Sequence, residues 1–317
     1  MLDLVEVPPP VPPADGYVVA LAAIGINFAD VVERRGRYRA GQCLPYELGK
    51  EGAGVIVARG PRARDHALGE PVIVVRFAGG CYAEQVAVSP HELLRGPAGY
   101  DLAELAAFAN GFATAWYGLT EVLRVRAGES FLVSAAAGAV GSATVQLARA
   151  LGLDPVLGLA GGPEKCRFVE AELGADRCFD YREGEVEAQV RAHRGGAGIE
   201  LALDTVGGEA LEAMLALLEP LGRLASVGFS SIDADYGERL PRLSLLRLFH
   251  RSISIGGLNL ERLDYPRRQE SWRRLVAFAE EKGLKPHVGH LFPLAEVAEA
   301  HRALECRATV GKVLLIP

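Results

Sequence analysis

The stretch SAAAGAVGS, residues 134–142, follows the apolar run Phe131-Leu132-Val133 and precedes ATVQLARALG, residues 143–152. The run reads as a strand and the segment after it has helical apolar spacing, so strand, small-residue turn and helix follow in order. Ala136-x-Gly138-x-x-Gly141 is the dinucleotide fingerprint with alanine in place of its first glycine. Gly138 has no Cβ, so a pyrophosphate can approach the backbone there. Gly141 lets the helix pack close to the strand, and the free N–H groups of the helix start face the phosphates. Cofactor contacts are therefore expected at Gly138, Ala139, Val140 and Gly141. A turn of small residues also builds α/β proteins that bind nothing, so the flanking sequence has to decide.

A cofactor with a free ribose 2′-hydroxyl is usually held by an acidic residue about 20 positions further on, at the end of the next strand. That strand here ends Gly158-Leu159-Ala160-Gly161-Gly162, without a carboxylate. Lys165 follows four residues after Gly161, and Tyr181 follows the next strand. A missing carboxylate beside an ammonium favours a 2′-phosphate over a hydroxyl. NADPH is predicted over NADH, with Gly161, Lys165 and Tyr181 at its adenosine end. Only five of the 34 basic residues are lysines, which gives the position of Lys165 weight, although Glu164 beside it works against the inference.

Working outward, the middle of the chain alternates strand-like and helix-like segments. DPVLGLA leads to PEKCRFVEAELGA, DRCFDY to GEVEAQVRAHR, IELALDTVG to GEALEAMLALLEPLG, and GRLASVGF through a polar loop to LPRLSLLRLFH and SISIGGL. Pro163 near one helix start and Gly174 past its end have the expected asymmetry of helix termini. Mostly uncharged strands separated by helices predict a doubly wound parallel sheet covered on both faces. The first hundred residues differ. YVVALAAI (17–24), GAGVIVARG (52–60), PVIVVRF (71–77) and AEQVAVS (83–89) are short runs broken by Gly and Pro, which suggests an irregular β domain. DLAELAAFANGFATAWYGLTEVL (101–123) is helical in spacing, with a break expected at 109–111.

At 317 residues two domains are the natural prior, and 50% hydrophobic with 23% charged residues describes an ordinary globular chain. A net charge of −6 gives no general attraction to nucleic acid or anionic lipid. No apolar run approaches the roughly 20 residues that span a bilayer, and MLDLVEVPPP does not read as a secretory signal. Five scattered cysteines without a Cys-x-x-Cys pair fit a reducing cytoplasm. PPPVPP at 8–13 reads as a rigid local connector.

GINFADVVERRGRY (25–38), LGKEGAGVIVARG (48–60), AAAGAVGSATVQLARALG (135–152), DTVGG (204–208), KPHVGHLFPLAEVAEAHRAL (285–304) and GKVLLIP (311–317) together resemble the medium-chain dehydrogenases/reductases. The likeness is nearest to the zinc-independent, zeta-crystallin-like quinone oxidoreductases, and it runs through essentially the whole chain. It implies an α/β protein with a GroES-like β-rich catalytic domain, residues 1–105 and 286–317, and a Rossmann-type NADPH-binding domain, residues 106–285.

Zinc alcohol dehydrogenases of the same superfamily place a cysteine near Asn27 and a histidine before the glutamate of GHE; this chain has GINFAD and GKE, with Lys50 at the histidine position. An ammonium has no lone pair for a metal. His287 and His290 have no cysteine near them in sequence, and no metal site is expected.

Without zinc, a hydrogen-bond donor must stabilise charge on the substrate oxygen as hydride arrives. The resemblance offers Asn27, near the nicotinamide, and Tyr38, in a G-x-Y context like that of the proton donor of enoyl-thioester reductases. A turn-capping Asn and a half-buried Tyr are equally open readings, and Lys50 is a further candidate donor. The resemblance also places Thr114 on the nicotinamide side, Gly228, Phe229 and Ser230 over the cofactor, Lys312 near the cleft, and Asp204 at a strand end where a loop cap is the competing role. It implies a homodimer paired through the edge strand 252–258.

Family members usually carry a strand before LELVEVP, so either the start is misassigned or the first sheet lacks an edge strand. The expected activity is NADPH-dependent reduction of a quinone, with an enone or enoyl thioester as the alternative acceptor. A non-enzymatic RNA- or vesicle-associated role is the competing class. The acidic balance argues against a nucleic-acid partner, and Arg242–Arg251 reads more simply as an amphipathic helix.

Overall fold

In the computed structural model, residues 2–38, 44–231 and 244–317 are described. Among them the strands in chain order are β1 (Tyr17–Ile26), β2 (Glu51–Arg59), β3 (Pro71–Val75), β4 (Gln85–Val88), β5 (Leu93–Leu94), β6 (Phe131–Val133), β7 (Val156–Ala160), β8 (Arg177–Asp180), β9 (Ile199–Asp204), β10 (Leu218–Ser226), β11 (Ser254–Gly257), β12 (Val288–Pro293) and β13 (Lys312–Ile316). The chain forms two compact units, one running to Asn110 and resuming at Tyr265, the other spanning Gly111–Asp264.

The first unit is built on a sheet of order β12-β13-β1-β2-β3-β5, with β4 also pairing β1. Its β-branched runs close one core around Tyr17, Val19, Ile24, Ile56, Val72, Val74 and Leu315. Both ends of the chain enter this sheet. In the antiparallel pairing of β1 with β13, Ile24 lies opposite Leu315 and Ile26 opposite Val313, while Gly25 lies opposite Glu51 of β2. The end of β1 and the starts of β2 and β13 therefore share one sheet end, which is what gathers the residues described below.

The second unit is an all-parallel sheet of order β11-β10-β9-β6-β7-β8. The strand sequence reverses at β6, the topological position at which doubly wound sheets bind ligands. The strands are continuous apolar runs because both faces are buried: every residue of β6 and β7 is buried. Helices Ala139–Ala150, Pro163–Ala171, Val186–His193 and Gly208–Leu217 link them. The helix Leu245–Arg251 precedes β11; Arg242, placed with it from the sequence, lies outside the described residues.

Two sequence expectations change. The helix Leu102–Tyr117 runs unbroken through residues 109–111. Gly111 serves packing instead: a Cβ there would lie 3.2 Å from the Ala139 carbonyl oxygen. The boundaries also move from 105/106 and 285/286 to 110/111 and 264/265. The cause is the helix Tyr265–Lys282, which packs on the first unit through Trp272. Its indole N–H donates to Arg95 O at 2.8 Å, and its ring meets Phe108 edge to face.

Candidate active site

Asn27 ends β1 and caps the helix Phe28–Arg34, with its own backbone N–H donating to Asp30 Oδ2 at 2.7 Å. Its side-chain amide is held at both ends: Nδ2 donates to Glu51 Oε1 at 2.8 Å, and Lys312 Nζ donates to Asn27 Oδ1, also at 2.8 Å. Lys312 and Glu51 form an ion pair beneath it, 1% and 0% exposed, while Asn27 is half-buried. The second carboxylate oxygen, Glu51 Oε2, accepts from the Asn110 backbone N–H at 2.7 Å. Burying a charge this deeply is tolerable only when it is paired and hydrogen-bonded, and both conditions hold. Lys312, expected near the cleft, thus spends its ammonium on Asn27 and Glu51.

A second buried pair adjoins it. Lys50 Nζ lies 3.1 Å from Glu33 Oε2 and donates to Phe77 O at 3.3 Å. The same ammonium stands 4.5 Å from the centre of the half-buried Tyr38 ring, a cation–π contact. Zinc does not fit here, because the position that would supply an imidazole holds an ammonium engaged with a carboxylate. His290 Nε2 accepts the Val310 N–H at 3.4 Å, in the β12–β13 pairing. Among the described residues no group of three His, Cys, Asp or Glu side chains has metal-binding geometry, and Cys43 lies outside them.

Burial, helped by the Glu51 charge, pushes the Asp30 carboxyl up to about 7 against the Asn27 N–H and the Lys50 and Lys312 ammonium groups. His301, also fully buried, has Nε2 3.0 Å from the Tyr82 hydroxyl, and burial pulls its imidazole down to about 4.

In the second unit the fingerprint turn has the form its sequence predicts. Gly138 caps the helix Ala139–Ala150, and no side chain caps it in turn. A Cβ on Gly138 would meet only Ala135 O, at 3.3 Å, so the approach to the helix start is open, and Ala139 and Val140 are partly exposed beside it. A Cβ on Gly141 would lie 2.7 Å from Ala136 Cα and collide with Ala135 O. The alanine that replaces the first glycine is accommodated by Gly158 in β7, where a Cβ would come within 2.9 Å of the Ala136 methyl. These residues fit a dinucleotide pyrophosphate.

Beyond β7, Gly161 faces the Tyr181 ring and Arg182: a Cβ there would lie 2.7 Å from Tyr181 Cζ and 3.1 Å from Arg182 Nε. Lys165 is half-buried in the first turns of Pro163–Ala171. Asp180, at the end of β8, accepts the Arg182 N–H at 3.0 Å. Burial works to raise its carboxyl, but the N–H groups of Arg182 and Gly162 hold it below the usual range.

Asp204 resolves as a loop cap. It accepts from the Ser134 hydroxyl at 2.7 Å, from Val206 N–H at 3.0 Å and from Gly207 N–H at 2.8 Å, while burial pushes its carboxyl upward. This loop clasps the next one, with Ser230 N–H donating to Thr205 O at 3.3 Å and Ser231 N–H to Val206 O at 2.9 Å. Gly228, Phe229 and Ser230 are partly exposed on that clasp, and Thr114 is partly exposed on its helix.

The residues that sequence reasoning missed are Glu51 and Arg182. Glu51 was visible in GKE only as the neighbour of Lys50. Arg182 follows Tyr181 directly, and the one signal for it was a basic residue next to Tyr181 after β8; Asp180, which ends that strand, masked it.

A family model described as alcohol dehydrogenase GroES-like domain matches residues 13–122, and one described as zinc-binding dehydrogenase matches residues 173–315. The human synaptic vesicle membrane protein VAT-1 homolog is 30% identical over 324 residues, covering 98% of this chain and 81% of that protein. A mycocerosic acid synthase-like polyketide synthase of Mycobacterium tuberculosis is 34% identical over 310 residues, 96% of this chain; the chain spans 14% of that protein's length. Among solved structures, the Escherichia coli quinone oxidoreductase complexed with NADPH matches with a TM-score of 0.88 at 29% identity, covering 99% of this chain and 95% of that one. The quinone oxidoreductase of Thermus thermophilus, solved also with NADPH, matches with a TM-score of 0.82 at 34% identity, covering 99% and 96%.

Proposed function

The chain belongs to the zeta-crystallin-like quinone oxidoreductase family of the medium-chain dehydrogenases/reductases, and from that premise we propose an NADPH-dependent reductase that passes hydride to a quinone without zinc. NADPH, when bound, supplies the hydride; one proton besides completes reduction of the acceptor. The turn Gly138–Gly141 and the helix start behind it bind the pyrophosphate. Gly161, Tyr181, Arg182 and Lys165 would hold the 2′-phosphate, and Thr114, Gly228, Phe229 and Ser230 would take the nicotinamide end. Asn27 donates to the substrate oxygen as charge develops on it, and Tyr38 delivers the proton, with the Lys50 ammonium over its ring favouring the departing phenolate form.

The observation that carries this reading is the end of β7. It closes on Gly161-Gly162 against Tyr181 and Arg182, with no carboxylate on β7 itself, and the neighbouring Asp180 of β8 is spent on the N–H groups of Gly162 and Arg182. A second reading, reduction of an enone or enoyl thioester, is supported by the match to polyketide synthases over 96% of this chain and by the resemblance of the Tyr38 context to that of the enoyl-thioester reductase proton donor. Fluorescence titration with NADPH and NADH, followed by NADPH oxidation with 1,2- and 1,4-quinones, alkenals and enoyl thioesters, tests both. Equal affinity for the two coenzymes rejects the 2′-phosphate argument, and turnover confined to thioesters rejects the quinone. Activity is expected to survive chelators, and metal analysis to find no stoichiometric zinc.

We place the protein in the cytoplasm, as a homodimer through residues 252–258. Among the described residues β11 pairs only with β10, which leaves its outer edge available to a second copy, and no described helix is long and apolar enough to cross a membrane.

A further inference from the structure

A side-chain amide can be turned over without changing its shape, so its partners decide which end is oxygen. At Asn27 both partners are unambiguous. An ammonium only donates, so the atom facing Lys312 Nζ at 2.8 Å is Oδ1; a carboxylate only accepts, so the atom facing Glu51 Oε1 at 2.8 Å is Nδ2. Glu51 cannot rotate away, because its other oxygen is held by the Asn110 N–H. One Nδ2 hydrogen is used by Glu51 and the second is left over. The ion pair is fully buried and the amide above it half-buried, so the fixed polarity is delivered to the more exposed layer.

We infer that Lys312 and Glu51 are positioning residues for reduction: they hold the Asn27 amide so that it offers an N–H, and they deny the reversed orientation, which would offer a carbonyl oxygen. The site so built selects an acceptor oxygen, a quinone or enone carbonyl and the oxyanion it becomes, over a hydroxyl or amine donor. This rests on the reading of Asn27 as the donor to substrate, and it adds that the donor's polarity is set from the opposite end of the chain, at residue 312.

The test uses Asn27→Ala, Lys312→Met and the charge-neutral double variant Lys312→Met/Glu51→Gln, with NADPH and 1,4-naphthoquinone. Asn27→Ala is expected to lower kcat about a hundredfold, the cost of one oxyanion donor. Lys312→Met is expected to lower kcat roughly tenfold through misplacement. The double variant is expected to regain thermal stability yet keep the roughly tenfold deficit, with the KM for NADPH unchanged, since its amide is free to turn. A purely structural pair predicts that rate and stability return together.

A second readout is independent of turnover. The chain has three asparagines, so 15N-asparagine labelling leaves three side-chain amide signals, and the one absent from Asn27→Ala is that of Asn27. The parent is expected to show one Nδ2 proton protected from exchange by Glu51, and the double variant to lose that protection. Full kcat in Asn27→Ala overturns the reading of Asn27 itself. A slow Asn27→Ala with a fast double variant, or a parent in which neither Nδ2 proton is protected from exchange, overturns the positioning role alone.

Discussion

The two units build their halves of the chemistry from opposite materials. In the second, the contacts proposed for the ligand come from backbone and small side chains: an uncapped helix start at Gly138, a turn of alanines and glycines, and a loop tied by Asp204 to Ser134 and two N–H groups. In the first, the candidate site is built on buried ions, Lys312 with Glu51 and Lys50 with Glu33. Backbone donors aligned by a helix carry partial charge without a desolvated ion to neutralise. Side-chain ions taken out of water gain little net stability even when well paired, which fits the placement role proposed for Lys312 and Glu51 better than a stabilising one. The units should therefore fail differently when a single atom group is removed.

The largest effect is expected where a pair is broken from one side. Lys312→Met leaves the Glu51 carboxylate buried and uncompensated, a loss of about 3–5 kcal/mol, most of it recovered when Glu51→Gln is added. Denaturant unfolding of the single and double variants checks this, and a double variant as unstable as the single would mean that charge is not the issue. In the second unit the matching failure is steric. Gly141→Val drives a Cβ into Ala136 Cα and Ala135 O, and both are backbone, so a loss of about 3 kcal/mol with loss of coenzyme binding is expected. Gly138→Ala, which meets only Ala135 O at 3.3 Å, should instead keep its melting temperature and lose NADPH affinity.

That contrast also explains what could be read in advance. The second unit was legible because its site is local: strand, turn and helix are contiguous from Phe131 to Ala150, and small residues there have few other reasons to cluster. The family likeness carried the rest of the outline, including Asn27 and Tyr38. What stayed hidden was the Lys312–Glu51–Asn27 triad, because its members are separated by 24 and 261 residues and meet only through the β1–β2 and β1–β13 registers. No spacing pattern records such a meeting. The break expected at 109–111 failed for a related reason: the glycine answers to a tertiary neighbour, Ala139, and not to its own helix.

A smaller effect, in pH dependence, sharpens the same point about buried groups in the first unit. Asp30 titrates near 7 in the fold against an ordinary 3.8, so between those values the folded state binds the extra proton and stability falls as pH rises. His301 titrates near 4 against an ordinary 6.5, so over that window the unfolded state binds the extra proton and stability rises with pH. The two slopes, each at most about 1.4 kcal/mol per pH unit, oppose one another up to 6.5. Asp30→Asn is expected to unmask the rise between pH 4 and 6.5, and His301→Gln the fall between pH 4 and 7. Identical pH profiles for parent and both variants would show that neither group titrates as its burial requires.

The smallest effect belongs to an exposed electrostatic feature of the second unit. Arg182 lies against Gly161 with its guanidinium 5.9 Å from the Tyr181 ring centre, and Tyr181 is 37% exposed. A cation in that setting is screened by water and salt, so its contact with a 2′-phosphate is worth about 1 kcal/mol, roughly a fivefold change in affinity. Arg182→Ala is expected to weaken NADPH by about that factor and leave NADH unchanged, because only the phosphate distinguishes them. Lys165→Ala should behave alike. The preference of the parent should shrink as ionic strength rises, whereas pyrophosphate binding at Gly138, made by backbone N–H groups, should lose less. Coenzyme titrations at low and high salt separate the two contributions: a preference indifferent to salt would move the discrimination from charge to the shape of the Gly161–Tyr181 contact.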